Sequence, residues 1–446
     1  MNTTKLIILI FILTITAGMK AVILAQSGPV ITELSLKQAI ELTKTHNYDV
    51  LLAKQDLSIA KAKRDQANAV FLPQISVEET ALKTTDPVAA FGIKLRQGIA
   101  VPADFDPAVL NDPDAINNYN TRVEVMQPLF NPDGFYERSA ARSGMLSARE
   151  KEASVQNMQV FRVKEHYHRL NLLLSKEEAL TTSLELAQSI EKQSSDYFDQ
   201  GLINRAEYLE ARVQVLNVEE QLLGTQNQIA DAKDNLAILL GMEPGTELIL
   251  TTPLESMDAE SVDVPEGPVR NAGLRALSFQ LEASEKALKA SRFSFIPKIN
   301  LFGAYEFNDD QLFGLSNDNY TIGASLRWDL FKGFSQIGKV NQRKAEQRSM
   351  KIRYDQQYDQ LQSQIRMKER SLNQSLKKIE LNSIAAEQAE EEYRIRSNRF
   401  DKGLEKVSDL LKAEAQYLNK DLSLLQALYE YQVNLASLEY LLETKF

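Results

Sequence analysis

The chain has 446 residues, no cysteine and a formal charge of −10 at pH 7. Without cysteine it can form no disulfide, thiolate metal site, cysteine nucleophile or cysteine-linked lipid anchor. The acidic balance argues against a nucleic-acid partner, and charges interspersed with apolar positions are the pattern of solvated faces on a folded protein.

At the N-terminus Lys5 precedes an apolar run, residues 6–17, that is shorter than the ~20 residues a spanning helix needs. Ala25 then offers a small-residue cleavage point, so residues 1–25 read as a secretory signal peptide and the mature chain is expected to begin near Gln26. An uncleaved anchor is the competing reading. Cleavage removes Lys5 and Lys20 but no acid, moving the charge from −10 to −12. No later run approaches spanning length. Residues 26–34, with Gly28 and Pro29, read as extended or irregular.

Ser35 can cap a short helix over 36–45, and a second helix runs over about 48–70 until Phe71-Leu72-Pro73 stops it. An alternating stretch at 73–83 follows, with Ile75 and Val77 opposite Gln74 and Ser76, although Glu79 interrupts its apolar face. Residues 84–118 are rich in Pro, Asp and Asn and read as a long loop. A second strand, 119–130, places Tyr119, Thr121, Val123 and Val125 on one face and ends at Leu129-Phe130. From about 135 to 200 the pattern is helical, which at 1.5 Å per residue means a rod of about 100 Å.

Phe198-Asp199-Gln200-Gly201-Leu202 breaks that rod, and a returning helix runs over about 205–240. The break recurs at Phe400-Asp401-Lys402-Gly403-Leu404, and Glu207, Leu209 and Ala211 match Asp409, Leu411 and Ala413 at the same offset. Two such hairpin tips imply an internal duplication. The first repeat covers 26–241, a Pro- and Asp-rich connector 242–268, and the second repeat 269–446. In the second repeat Phe295-Ile296-Pro297 repeats the earlier helix stop. Strands follow at 298–307 and 320–331, with Leu330-Phe331 mirroring Leu129-Phe130. Its long helix carries a heptad of Tyr358, Ile365, Leu372, Ile379, Ala386, Tyr393 and Phe400, the spacing of coiled-coil packing. The fold class is therefore mainly α with four amphipathic strands of the length that crosses a bilayer. Four strands cannot close a barrel, so in a membrane copies of the chain must pool them; a soluble sheet covered by helices is the alternative.

The order and duplication of these features resemble the outer-membrane efflux proteins, the TolC-like family. The residues that carry the resemblance are Ser35-Leu36, the Pro73 and Pro297 helix-strand junctions, both strand exits and both glycine tips. The resemblance implies a homotrimer with one twelve-stranded barrel in outer-membrane lipid, and a periplasmic tunnel of long helical hairpins belted by the connector. It places the loops 84–118 and 308–318 outside the cell. The partners implied are a periplasmic adaptor and an inner-membrane pump or exporter, met near Gly201, Leu202, Gly403 and Leu404. In such proteins acids just after the second tip constrict the entrance, and Asp409 stands at that place. Lys412 stands where a second acid is common and Glu405 where a base can stand, so this chain departs from the family pattern. Glu207, Glu210, Glu405 and Asp409 read equally well as first-turn acids favoured by the helix dipole.

No enzymatic constellation emerges. Gly333–Lys339 has the GxxxxGK spacing, but Val340 replaces the Mg²⁺-binding Ser or Thr and the strand before it alternates. His46, His166 and His168 are too few and too dispersed for a metal site, and the last two read as exposed. No cofactor and no metal are expected. The function implied is an exit channel of a tripartite efflux or type I secretion system, located in the outer membrane with its helices in the periplasm; a periplasmic coiled-coil adaptor or scaffold is the alternative.

Overall fold

The computed structural model describes residues 31–254 and 270–444. The expected signal peptide, residues 255–268 of the connector and residue 269 lie outside them.

Strand β1 (Ile31–Leu34) leads into helix α1 (Leu36–His46). Ser35 and Gln38 cap α1 reciprocally, each side chain accepting the other's backbone N–H. Asn47 turns the chain into α2 (Tyr48–Gln66), whose last turn tightens at Ala67–Val70 before Pro73 opens strand β2 (Gln74–Thr84). The expected long loop is only partly irregular, since it contains helices α3 (Pro87–Arg96) and α4 (Pro107–Asn111). Each starts with an Asp cap followed by Pro, a combination that fixes the first turn without losing a needed donor. Strand β3 (Ile116–Phe130) then feeds α5 (Pro132–Asp199), a single helix of 68 residues that returns through α6 (Arg205–Leu239).

The connector contributes β4 (Glu247–Leu250), which pairs in parallel with β1, so the segment before Ser35 is a strand rather than irregular chain. The second repeat supplies α7 (Ala272–Phe293), β5 (Lys298–Asp309), β6 (Asn317–Arg327), α8 (Ser335–Phe400) and α9 (Val407–Leu442). β6 stops at Arg327 instead of Phe331. Trp328 turns aside to donate its indole N–H to Phe295 O at 2.9 Å, and Asp329 pairs with Lys332 at 2.7 Å.

The larger sheet is antiparallel in the order β2-β3-β5-β6, so β3 and β5 join the two repeats and β2 and β6 are its edges. Its register aligns Ile75, Val125, Gly303 and Ile322 in one row and Val77, Val123, Tyr305 and Tyr320 in the next. These rows form the apolar face that alternation predicts, and the side chains stand bare: Val77 is 70% and Ile322 77% exposed. The opposite face is polar.

The helical part is packed in tiers. Leu34 and Leu248 from the strand pair join Tyr167, Leu170 and Leu236 of α5 and α6 in one core. Leu274 of α7, Leu361 and Leu372 of α8, and Leu438 of α9 form another. The two tips share a third, made of Ile190, Ala211, Phe400, Val407 and Leu410.

Candidate functional site

Both tips end their first helix in the same way. Leu202 N donates to Tyr197 O at 2.8 Å and Gly201 N to Phe198 O at 2.9 Å; Leu404 N donates to Arg399 O at 2.9 Å and Gly403 N to Phe400 O at 2.8 Å. This pairing puts the glycine in the left-handed region, with φ of 72° at Gly201 and 69° at Gly403. Leu202 and Leu404 are consequently held outward and exposed. The tips lie side by side, with the Tyr197 and Phe400 rings 5.7 Å apart.

The helices leaving the tips are capped differently. Glu207 closes a capping box with Asn204, so this acid serves its own helix end, while Glu210 is exposed. Lys406 gives α9 no side-chain cap. Instead Glu405 folds back on α8, accepting from Arg399 Nε at 2.7 Å and Arg396 Nη1 at 2.9 Å. The Arg399 hydrogen bond, with Arg396 beside it, holds the Glu405 carboxyl below its usual range. Asp409 is half-buried on the next turn, and the Arg396 guanidinium is held protonated first by its hydrogen bond to Glu392, then by the charge of Glu405 and least by that of Asp409. Lys412 is exposed, and among the described residues no ion pair joins it to Asp409. Local pattern could not reveal the Arg396–Arg399–Glu405 clamp, because its spacing of nine and six residues crosses a turn.

Higher in the bundle Glu414 is 1% exposed at the meeting of three helices. Ser183 of α5 donates to Oε1, and Gln214 of α6 donates to Oε2 at 3.0 Å. Burial pushes this carboxyl up, since two neutral donors compensate its charge only in part. His168 is also buried rather than exposed, because its side of α5 is covered; burial and then Lys164 lower its pKa to about 4. His166 is half-buried on the same helix.

Pro73 and Pro297 stand where helices give way to β2 and β5, at the helical end of the sheet. On the polar face Arg122 reaches Glu306 at 2.9 Å and Glu124 at 3.2 Å. No helix among the described residues is long and apolar enough to cross a membrane, and no group of side chains there is arranged to hold a metal ion. The Gly333–Lys339 segment is a strand-to-helix junction with Phe334 in the left-handed region as the cap of α8.

Known proteins share this architecture. Residues 39–242 and 268–443 match the family model of the outer membrane efflux proteins. No curated protein matches the chain. Among solved structures, VceC of Vibrio cholerae superposes with a TM-score of 0.76 at 21% identity, over 92% of this chain and 96% of that one. The CmeC channel of Campylobacter jejuni gives 0.80 at 16% identity over 91% and 85%. The open state of the MtrE channel of Neisseria gonorrhoeae gives 0.76 at 15% over 92% and 89%. With both repeats matched and the bare sheet joined to long hairpins, the chain belongs to the outer membrane efflux protein family, as a non-enzymatic outer-membrane channel protein with a periplasmic helical part.

Proposed function

We propose that the chain is the exit channel of a tripartite efflux or type I secretion assembly, acting as a homotrimer that passively conducts substrate from a periplasmic adaptor and inner-membrane pump to the outside. One observation carries the reading: a four-stranded sheet with a bare apolar face and two open edges, β2 and β6, grows out of helices too long for a compact domain. In hydrocarbon unpaired edges are untenable, and three copies supply twelve strands that close by pairing β6 of one with β2 of the next. Energy comes from the partners. The exposed Leu202 and Leu404 fit the role of adaptor contacts, and Asp409, repeated three times around an axis, fits a constriction at the entrance.

Native mass measurement in detergent tests the assembly, with a trimer expected. A folded, monodisperse monomer overturns it. Cross-linking from the two tips, followed by identification of what is captured, tests the partners.

A further inference from the structure

The sheet has a helical end, where Pro73 and Pro297 lie, and a far end, which in this orientation faces outside. At the far end the segment 87–111 does not stand clear of the strands. Gln97, at the end of α3, is 3% exposed, and its Nε2 donates to Asn117 O at 2.9 Å, Asn118 Oδ1 at 2.9 Å and Asp309 O at 3.0 Å. Its backbone carbonyl accepts from Asn317 Nδ2. One side chain and its carbonyl thereby tie the segment to β3, β5 and β6. The fold of the segment is held by Lys94 and Asp104, paired at 2.7 Å, with Asp104 Oδ2 accepting from Val101 N at 2.8 Å.

Register decides which face is covered. Asn118, Asn120, Asn308 and Asn317 share the polar face with Arg122 and Glu306, opposite the bare apolar rows. On the inside of a barrel such side chains belong to a wet lumen. Yet within a single chain Asn308 is 0% and Asn118 5% exposed. The segment that anchors Gln97 lies over the lumenal side of the mouth.

We propose that residues 87–111 form a lid at the outer exit, latched by Gln97, and that three lids together obstruct the barrel mouth. The proposal rests on the trimeric channel reading. Twelve strands about 4.8 Å apart and tilted about 40° make a wall roughly 24 Å across, backbone to backbone. Three helices of about 10 Å diameter packed around a threefold axis fill a circle roughly 22 Å across, nearly all of that width. Substrate leaving the duct then has to displace α3, and the latch must break without unfolding the strands. Hydrogen bonds from one neutral carboxamide suit that requirement, because each is individually modest.

The absence of native cysteine allows a direct test. Ser325→Cys puts one thiol on the polar face of β6, nearer the helical end than the lid. Intact cells are treated with a small maleimide, or with one bearing a polyethylene glycol chain too large for general porins. The bulky reagent is expected to react at least about tenfold faster when Gln97→Ala is added, the population shift that losing one or two buried hydrogen bonds produces, while the small reagent reacts equally. A variant with 87–111 replaced by a short Gly-Ser linker gives the same comparison if Gln97→Ala does not fold. Equal rates for the bulky reagent in all three, with detergent-resistant trimers present, overturn the lid and leave the channel standing. Absence of trimers overturns both.

Discussion

Two buried groups in the helical bundle give opposite pH dependences. His168 is held neutral, with its pKa lowered to about 4 from 6.5, so the unfolded chain takes up a proton that the folded chain resists. Its contribution is complete above pH 6.5 and is lost as pH falls toward 4, by up to about 3 kcal/mol. Glu414 holds its proton more tightly when folded, so its contribution is complete below its ordinary value of 4.5 and is lost as pH rises through the raised pKa. Melting in detergent across this range should show Glu414→Gln stabilised at neutral pH and unchanged in acid, and His168→Leu less sensitive to acid than wild type. Parallel melting curves for all three proteins would remove both assignments. At the proposed entrance, Asp409→Asn is expected to weaken cation selectivity in planar bilayers, because the proposed threefold ring loses its charge. Lys412→Gln should strengthen it only if Lys412 lies within screening distance of the pore axis in the assembly. Unchanged reversal potentials under a salt gradient would place Asp409 away from the constriction. The tip glycines, both proline stops and the cap at Ser35 are legible as residues because each acts through its own backbone. The burial of His168 and Glu414 is not, since it depends on which helices cover them.

Among elements, the strands divide mutations by face. Ile322→Arg puts a charge on the apolar side of β6 and should cost about 2–4 kcal/mol if the site lies near the bilayer midplane, whereas Ser325→Arg on the polar side should cost much less. Unfolding in vesicles by denaturant checks the contrast, and equal losses would contradict the assignment of faces. At the tips a Cβ at Gly403 meets left-handed backbone, so Gly403→Ala should destabilise that turn by about 1 kcal/mol while the trimer survives. A drop in efflux in cells with trimer yield unchanged would be the result expected of a docking tip. Alternation and the heptad made strands and long helices readable, because both patterns are local. Helix α3 escaped notice within a Pro- and Asp-rich stretch, although Asp86-Pro87 is a helix-start signature that composition obscured. The strands β1 and β4 have four residues each and pair Thr32 with Leu248, 216 positions apart, so no window could have paired them.

For the whole molecule, the architecture is legible in the duplicated tips and strand pairs, while the proposed closing of the barrel lies in copies that a single chain does not contain. The parallel pairing of Ile31–Leu34 with Glu247–Leu250 adds a constraint in time. Leu34 and Leu248 sit in one core, so Leu34→Asp should disrupt that tier even though every long helix keeps its sequence; limited proteolysis near the connector would reveal it. A chain threaded N-terminus first has to deliver more than half of its length before β1 meets its partner, and β5, the partner of β3, arrives later still. Pairings so distant are slow to form, and until they do the apolar strands have neither partner nor lipid. Passage across the periplasm is therefore expected to favour a chaperone that holds the chain open, with the sheet incomplete until β6, its last strand in chain order, has arrived.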